Sequence, residues 1–272
     1  MGNPVVITAA VDGPVATQAD NPNIPATPEE FAKVAKEVYE AGASVIHIHT
    51  RNKQGQSSAD YDCAKDILDA VHDSCPILTQ LSTGGFFPLE ERIRLVELKP
   101  RMASLNICTM TFGKTVFQNP PDMVRKVAAR MMELGVKAEL EIYDTGHLDF
   151  AMQLLKEGLL VEPLQFSTVL GVQGGAAATP ENMLTLVSRM PKNAVWQMIG
   201  VGSRANLMLT TMAIAMGGNA RTGLEDLLYI KKGVLADNPS LIRRLVNVAK
   251  AIEREPATIE ETEKMLQLPT IK

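Results

Sequence analysis

Short apolar runs alternate with longer amphipathic ones eight times along this chain, and no other feature of the sequence limits its possible folds so strongly. The short runs fall at 5–10, 44–49, 76–81, 102–107, 136–142, 164–169, 194–199 and, more weakly, 218–221. Each is followed by a stretch able to form a helix. Thr27 stands as an N-cap before Pro28 and opens a helix over 29–40, and Thr179 before Pro180 repeats the pattern. Pro121 precedes a further helix over 123–134, while Gly42 and Gly135 fall where C-terminal caps belong. Eight β-then-α units in 272 residues is the count of an α/β fold, the (β/α)8 TIM barrel. A doubly wound open sheet has the same local periodicity. No G-x-G-x-x-G follows the first run, which removes the usual dinucleotide reason to prefer that sheet.

Barrels of this length commonly form one domain, and the chain carries no low-complexity linker, charge run or short-period repeat. A single catalytic domain over 1–272 is therefore expected, with a short charged extension after Arg254. A net charge of −4 gives no electrostatic footprint for nucleic acid or an anionic membrane, and aromatics at 4% are too sparse for base stacking. Cys63, Cys75 and Cys108 are an odd count without C-x-x-C spacing, which suits neither a disulfide framework nor a zinc-cysteine module. The opening Met-Gly-Asn-Pro lacks the basic n-region of a signal peptide. The most apolar window, 207–216, is far short of the ~20 residues that span a bilayer. A reducing cytoplasm is the expected location.

Chemistry concentrates in Val45-Ile46-His47-Ile48-His49-Thr50-Arg51. Alternate residues of a strand share a face, so His47 and His49 point one way and Ile46, Ile48 and Thr50 the other. At the C-terminal end of a barrel strand the inward face is the catalytic mouth. Two protonated imidazoles there would repel, and a shared metal removes the conflict. A pair of buried, hydrogen-bonded histidines is the competing reading. A third ligand has to come from another strand end, and Gly223-Leu224-Glu225-Asp226 brings two acids to the same mouth. One carboxylate can ligate while its neighbour acts as a base; a Glu-Asp pair can also simply cap a following helix. Two histidines and one carboxylate leave positions open, as catalytic zinc sites and non-haem iron oxygenases do. A metal-dependent hydrolase or oxygenase on that site is accordingly a second possible function.

Ser82-Thr83-Gly84-Gly85 and Gly171-Val172-Gln173-Gly174-Gly175 follow two further strands and are expected to offer free backbone N–H groups to a carboxylate or phosphate. Phe86-Phe87 begins either a drier pocket or a packed helix start. Cys108 has no evident base beside it, and His147 is expected to hydrogen-bond at a helix start.

Taken together, these stretches resemble the β-keto acid cleavage enzyme family, whose founding activity is 3-keto-5-aminohexanoate cleavage. His47-Ile48-His49-Thr50-Arg51 combined with Arg221-Thr222-Gly223-Leu224-Glu225-Asp226 is the specific part of the match. Ile7-Thr8-Ala9-Ala10-Val11, Ser82-Thr83-Gly84-Gly85, Ser104-Leu105-Asn106, Glu139-Leu140-Glu141-Ile142-Tyr143-Asp144 and Ala213-Ile214-Ala215-Met216-Gly217-Gly218 extend it over most of the chain. The resemblance implies a (β/α)8 barrel, usually a homotetramer, binding Zn²⁺ through His47, His49 and Glu225. It implies a reaction in which a β-keto acid and acetyl-CoA give acetoacetate and the CoA ester of the shortened acid. Asp226, Arg221 and Ser82 match the proton-transfer group, and Asn106, Glu141, Thr83 and Gly84 are expected to line the substrate site. Aminohexanoate-cleaving members carry an acid soon after the first strand in a Gly-Ala-Glu-like context, where this chain has Asp12-Gly13-Pro14-Val15 with no Glu at the expected place. Recognition of a substrate ammonium group is not expected here.

Overall fold

Ile7–Ala10 (β1), Val45–Ile48 (β2), Leu78–Leu81 (β3) and Met102–Asn106 (β4) supply half of a closed parallel barrel in the computed structural model, which describes residues 3–269. Met1 and Gly2 of the N-terminal reading lie outside the described residues. Two short hairpin strands, Met110–Phe112 (β5) and Thr115–Phe117 (β6), follow β4 and pair only with each other. Lys137–Ile142 (β7), Gln165–Leu170 (β8), Val195–Gly200 (β9) and Asn219–Thr222 (β10) complete the barrel in the order β1-β10-β9-β8-β7-β4-β3-β2. A second isolated hairpin, Tyr229–Lys231 (β11) with Val234–Leu235 (β12), follows β10. All eight strand readings match barrel strands, so the open-sheet alternative is excluded by closure of β1 onto both β2 and β10.

The helices are Pro28–Glu40 (α1), Tyr61–Ser74 (α2), Leu89–Arg94 (α3), Pro121–Leu134 (α4), Thr145–Lys156 (α5), Pro180–Ser188 (α6), Ser203–Ala215 (α7), Asn238–Ala251 (α8) and Ile259–Leu266 (α9). Helix α1 begins as its sequence predicts: Thr27 accepts from the Glu30 N–H, and Glu30 reaches back to the Thr27 N–H in a capping box. Among the described residues no helix is long and apolar enough to cross a membrane.

Strand periodicity sorts side chains into two environments. Ile46 and Ile48 face outward into a core with Phe31, Val34, Ile67 and Leu68 of the α1–α2 layer. The opposite faces fill the barrel, and its interior is layered. At the bottom, Val6, Val45, Leu78 and Met102 form an apolar floor that Ala257 and Leu266 close from below, so the extension after Arg254 plugs the barrel. The middle layer is polar: Thr8 donates to Gln197, whose amide donates to Glu139 and Ser167, and His47 meets Gln80 across β2–β3. This polar middle layer sets side-chain orientation at the mouth above it.

Candidate active site

The residue pairs at the mouth are fixed first by backbone. His47 sits opposite Ala10 and Gln80 in the parallel register, and Arg221 sits opposite Thr8. The turn after β10 then passes very close to β1. A Cβ on Gly223 would lie 2.0 Å from the Ala10 carbonyl oxygen, and one on Gly13 would lie 2.8 Å from Glu225 Cγ. Only glycine lets these two loops meet. Asn238, at the start of α8, locks the approach by donating to the Val11 carbonyl and accepting from the Leu224 N–H.

That approach brings Glu225 against both histidines. Glu225 Oε2 lies 3.4 Å from His47 Nε2, and Oε1 lies 3.4 Å from His49 Nε2. The three donor groups lie within 4.8 Å of one another. His47 is fully buried, its Nδ1 is 2.6 Å from Gln80 Oε1, and its Nε2 has no hydrogen-bond partner. Because Gln80 Oε1 only accepts, Nδ1 carries the proton and the Nε2 lone pair faces Glu225. Burial and the Arg221 guanidinium push the His47 pKa down to about 3, which keeps the imidazole neutral as ligation requires. Burial works against protonation of His49 too, but Glu225 and Asp12 reverse it and raise that pKa. Burial alone would raise Glu225; Arg221, His47 and His49 together hold it below the usual carboxylate range. Two neutral-capable imidazoles, a carboxylate and two unpartnered buried donor atoms, His47 Nε2 and Glu225 Oε2, fit a divalent cation.

The adjacent acid turns elsewhere. Arg221 Nη2 donates to Asp226 Oδ1 at 3.0 Å, its Nε reaches Oδ2 at 3.3 Å, and Nη2 also lies 2.7 Å from Glu225 Oε1. Burial raises the Asp226 pKa despite Arg221, and the Glu225 charge pushes the same way. Glu225 and Asp226 cap no helix, since the next one, α8, is capped by Asp237.

Arg51, the third alternate residue of the His47–His49 stretch, binds Asp12 at 2.9 Å and the carbonyls of Gly13 and Ala16. Asp12 also accepts the His49 N–H. The acid after β1 is thus a buried loop anchor, which burial raises to about 6 against the pull of Arg51.

A cavity of about 800 Å³ opens above this group, and Ser82, Gly84, Asn106, Glu141, Arg221 and Asp226 line it. Thr83 does not: its hydroxyl donates to the Ser104 carbonyl and its N–H to Ser104 Oγ. The expectation of free N–H groups in the Gly-rich loops is corrected at three glycines. The Gly84 N–H is taken by Ser82 Oγ, Gly171 by Ala176 and Gly175 by Val172. Gly174 serves close packing, since a Cβ there would lie 2.0 Å from the Thr111 carbonyl. Phe86 and Phe87 divide the two readings between them: Phe86 lines the cavity, and Phe87 packs into the α1–α2 core. Cys108 packs against the outer core, where burial pushes its thiol up to about 11, and His147 Nδ1 accepts the Tyr143 N–H. The sequence reading missed the β5–β6 hairpin, which adds Phe112 and Phe117 to the cavity wall. Phe112-Gly113-Lys114-Thr115 was the available signal, with Gly113 at φ +62° in the turn.

A profile of the beta-keto acid cleavage enzyme family matches residues 4–268. The 3-keto-5-aminohexanoate cleavage enzyme of Fusobacterium nucleatum subsp. nucleatum is 38% identical over 269 residues, covering 97% of this chain and 98% of that protein. The 3-dehydrocarnitine:acetyl-CoA trimethylamine transferase of Rhizobium meliloti (strain 1021) is 31% identical, covering 98% of each. The apo structure of ObcA superposes with a TM-score of 0.76 over 92% of this chain and 66% of that one, at 18% identity, and so shares the fold. With the family profile and full-length relatives both matching, the chain belongs to the beta-keto acid cleavage enzyme family.

Proposed function

We propose that this chain exchanges acyl groups between a β-keto acid and acetyl-CoA: R–CO–CH2–COO⁻ and CH3–CO–S–CoA give CH3–CO–CH2–COO⁻ and R–CO–S–CoA. The observation that carries this reading is the division of labour at 225 and 226, with Glu225 against both histidines and Asp226 against Arg221. Relatives named as acetyl-CoA-dependent transferases support the choice of co-substrate.

His47, His49 and Glu225 hold the cation, proposed as Zn²⁺. When bound it supplies Lewis-acid polarisation of the keto and carboxylate oxygens of the β-keto acid. Asp226 takes the C2 proton, and its raised pKa makes it a stronger base than an exposed aspartate. Arg221 fixes the Asp226 carboxylate by a charge-assisted pair, while its Nη1 has no partner. Ser82 Oγ already accepts from Gly84, so its own O–H is left to donate to a substrate oxygen. The C2 carbon then attacks the acetyl thioester, the released thiolate adds to the 3-keto carbon, and cleavage of the C2–C3 bond leaves the new thioester and the acetoacetate carbanion, to which Asp226 returns its proton. The same reading takes the chain as one catalytic domain working as a cytoplasmic homotetramer, and light scattering of the purified protein tests the tetramer.

Acetoacetate release is measured with metal-loaded protein, acetyl-CoA and a range of β-keto acids. Turnover is expected to require acetyl-CoA, unlike a hydrolase or an oxygenase. Asp226→Asn is expected to lower kcat by about 10²–10⁴-fold while bound metal stays stoichiometric. Metal-loaded protein that releases no acetoacetate from any acid sinks the reading.

A further inference from the structure

The cavity divides by chemistry. One side carries every charged side chain that lines it: His49, Arg221, Glu225, Asp226 and, beside Tyr143, Glu141. The other side is a wall of Phe86, Phe112, Phe117, Val169 and Val172. Ring centroids of Phe86, Phe112 and Phe117 stand 5.9–6.3 Å apart in edge-to-face contact, and Tyr143 extends the set from Phe112 at 6.4 Å. Phe86 is 45% exposed, so much of its side chain remains outside the core.

The two sides meet at Gly84. A Cβ there would lie 3.3 Å from both Ser82 Oγ and Asn106 Nδ2 and 3.8 Å from the Phe117 ring. A molecule whose reacting end lies among Ser82, Asn106 and Asp226 therefore runs onto aromatic carbon within one residue's width. No lysine lines the cavity, and Arg221, whose Nε and Nη2 hold Asp226 and Glu225, stands at the reacting end with only Nη1 unpartnered, so a second carboxylate out on the aromatic wall finds no counter-ion among the lining residues. Glu141 already accepts the Tyr143 hydroxyl at 2.7 Å, which leaves one oxygen fewer for a tail ammonium. Burying an unpaired charge against such a wall is far costlier than burying carbon.

We infer that the β-keto acid this chain takes carries an uncharged, apolar tail beyond its 3-keto carbon, of the bulk of a branched alkyl or phenyl group, seated on the Phe86–Phe112–Phe117 wall. This rests on the acyl-exchange reading above and specifies its substrate class.

The test compares 5-methyl-3-oxohexanoate and 3-oxo-5-phenylpentanoate with 3-oxoadipate and 5-amino-3-oxohexanoate, each with acetyl-CoA. The two apolar acids are expected to exceed both charged ones in kcat/KM by about 100-fold or more. A charged-tail acid that matches or exceeds them overturns the inference and leaves acyl exchange standing. If none of the four turns over, the reaction reading fails alone, and calorimetry of unreactive 5-phenylpentanoate, adipate and 6-aminohexanoate decides the pocket. Preferential binding of 5-phenylpentanoate upholds it, and any other order overturns it. Phe112→Asp is expected to lower kcat/KM for the apolar acids by about 100-fold with bound metal unchanged. An unaltered preference in that variant also overturns the inference.

Discussion

His47 Nδ1 lies 2.6 Å from Gln80 Oε1, and this bond turns the other ring nitrogen toward Glu225. Gln80 is thus the residue that decides which tautomer His47 presents. Gln80→Leu is expected to weaken binding of the proposed Zn²⁺ by about 10–100-fold while the barrel persists. Chelator-competition titration measures the loss, and circular dichroism checks the fold. In the native protein, zinc at about 100 times its Kd should stabilise the fold by about 2.7 kcal/mol, read as a rise in Tm that a chelator reverses.

Gly223→Ala tests the close approach of β10's turn to β1. A methyl group 2.0 Å from the Ala10 carbonyl forces backbone to move, and overpacking of this kind costs about 1–3 kcal/mol. Urea unfolding should show that loss. Metal affinity should fall with it, because displacement of residue 223 carries Glu225 away from the histidines. Stability lost with metal affinity intact would separate the turn from the site.

Glu139 is wholly buried in the middle layer, and burial raises its pKa. Gln165 Nε2 lies 2.5 Å away, and Gln165 Oε1 has no partner, so turning that amide lets a protonated Glu139 donate to it. A raised carboxyl pKa means the folded state binds its proton more tightly than the unfolded chain. The stability it contributes is complete below the unfolded pKa and is lost as pH rises through the folded one. Glu139→Gln keeps a neutral donor and acceptor at the same place. Urea midpoints at pH 5 and pH 8 should therefore move in favour of the variant as pH rises. A constant difference between the two proteins at both pH values contradicts a neutral Glu139.

Arg92 ties the cavity's aromatic wall to the loops behind it. It donates to the Thr83 carbonyl, the Gln118 carbonyl and Asn119 Oδ1, and its guanidinium stands 4.7 Å from the Phe117 ring centroid. Arg92→Met keeps much of the bulk but leaves these acceptors unpaired, at about 1–3 kcal/mol for each that stays buried. Hydrogen exchange should quicken across 110–117, and KM for the acid should rise more than kcat falls. Unchanged exchange in the hairpin would show that other contacts hold it.

The eight barrel strands were legible because each carries an apolar face toward the helices, as Ile46 and Ile48 do. His47 and His49 were legible from strand alternation and the 225–226 acid pair from its strand-end position; only the family resemblance pointed to Glu225 over Asp226 as the ligand, and the structure brings Glu225 to both histidines. Residues bound by contacts distant in sequence left no local trace. Arg51 gave no sign that it would hold Asp12 across 39 positions, nor Asn238 that it would bridge two loops. Thr83 read as part of a Gly-rich mouth, yet Ser104 on the neighbouring strand turns it away. The β5–β6 hairpin escaped notice because two three-residue strands lack a periodicity to detect.

That hairpin has a bearing on how such a protein changes over generations. Its strands pair only with each other, so substitutions between Met110 and Phe117 leave every rung of the barrel ladder intact. It is nevertheless mated to a second segment, since Gly174 must stay bare where the Thr111 carbonyl presses on it and the Gln173 carbonyl accepts the Gly113 N–H. A lineage acquiring a new taste in acids would have to rewrite 110–117 and 171–175 as one unit, while inheriting the histidines and the 221–226 turn untouched.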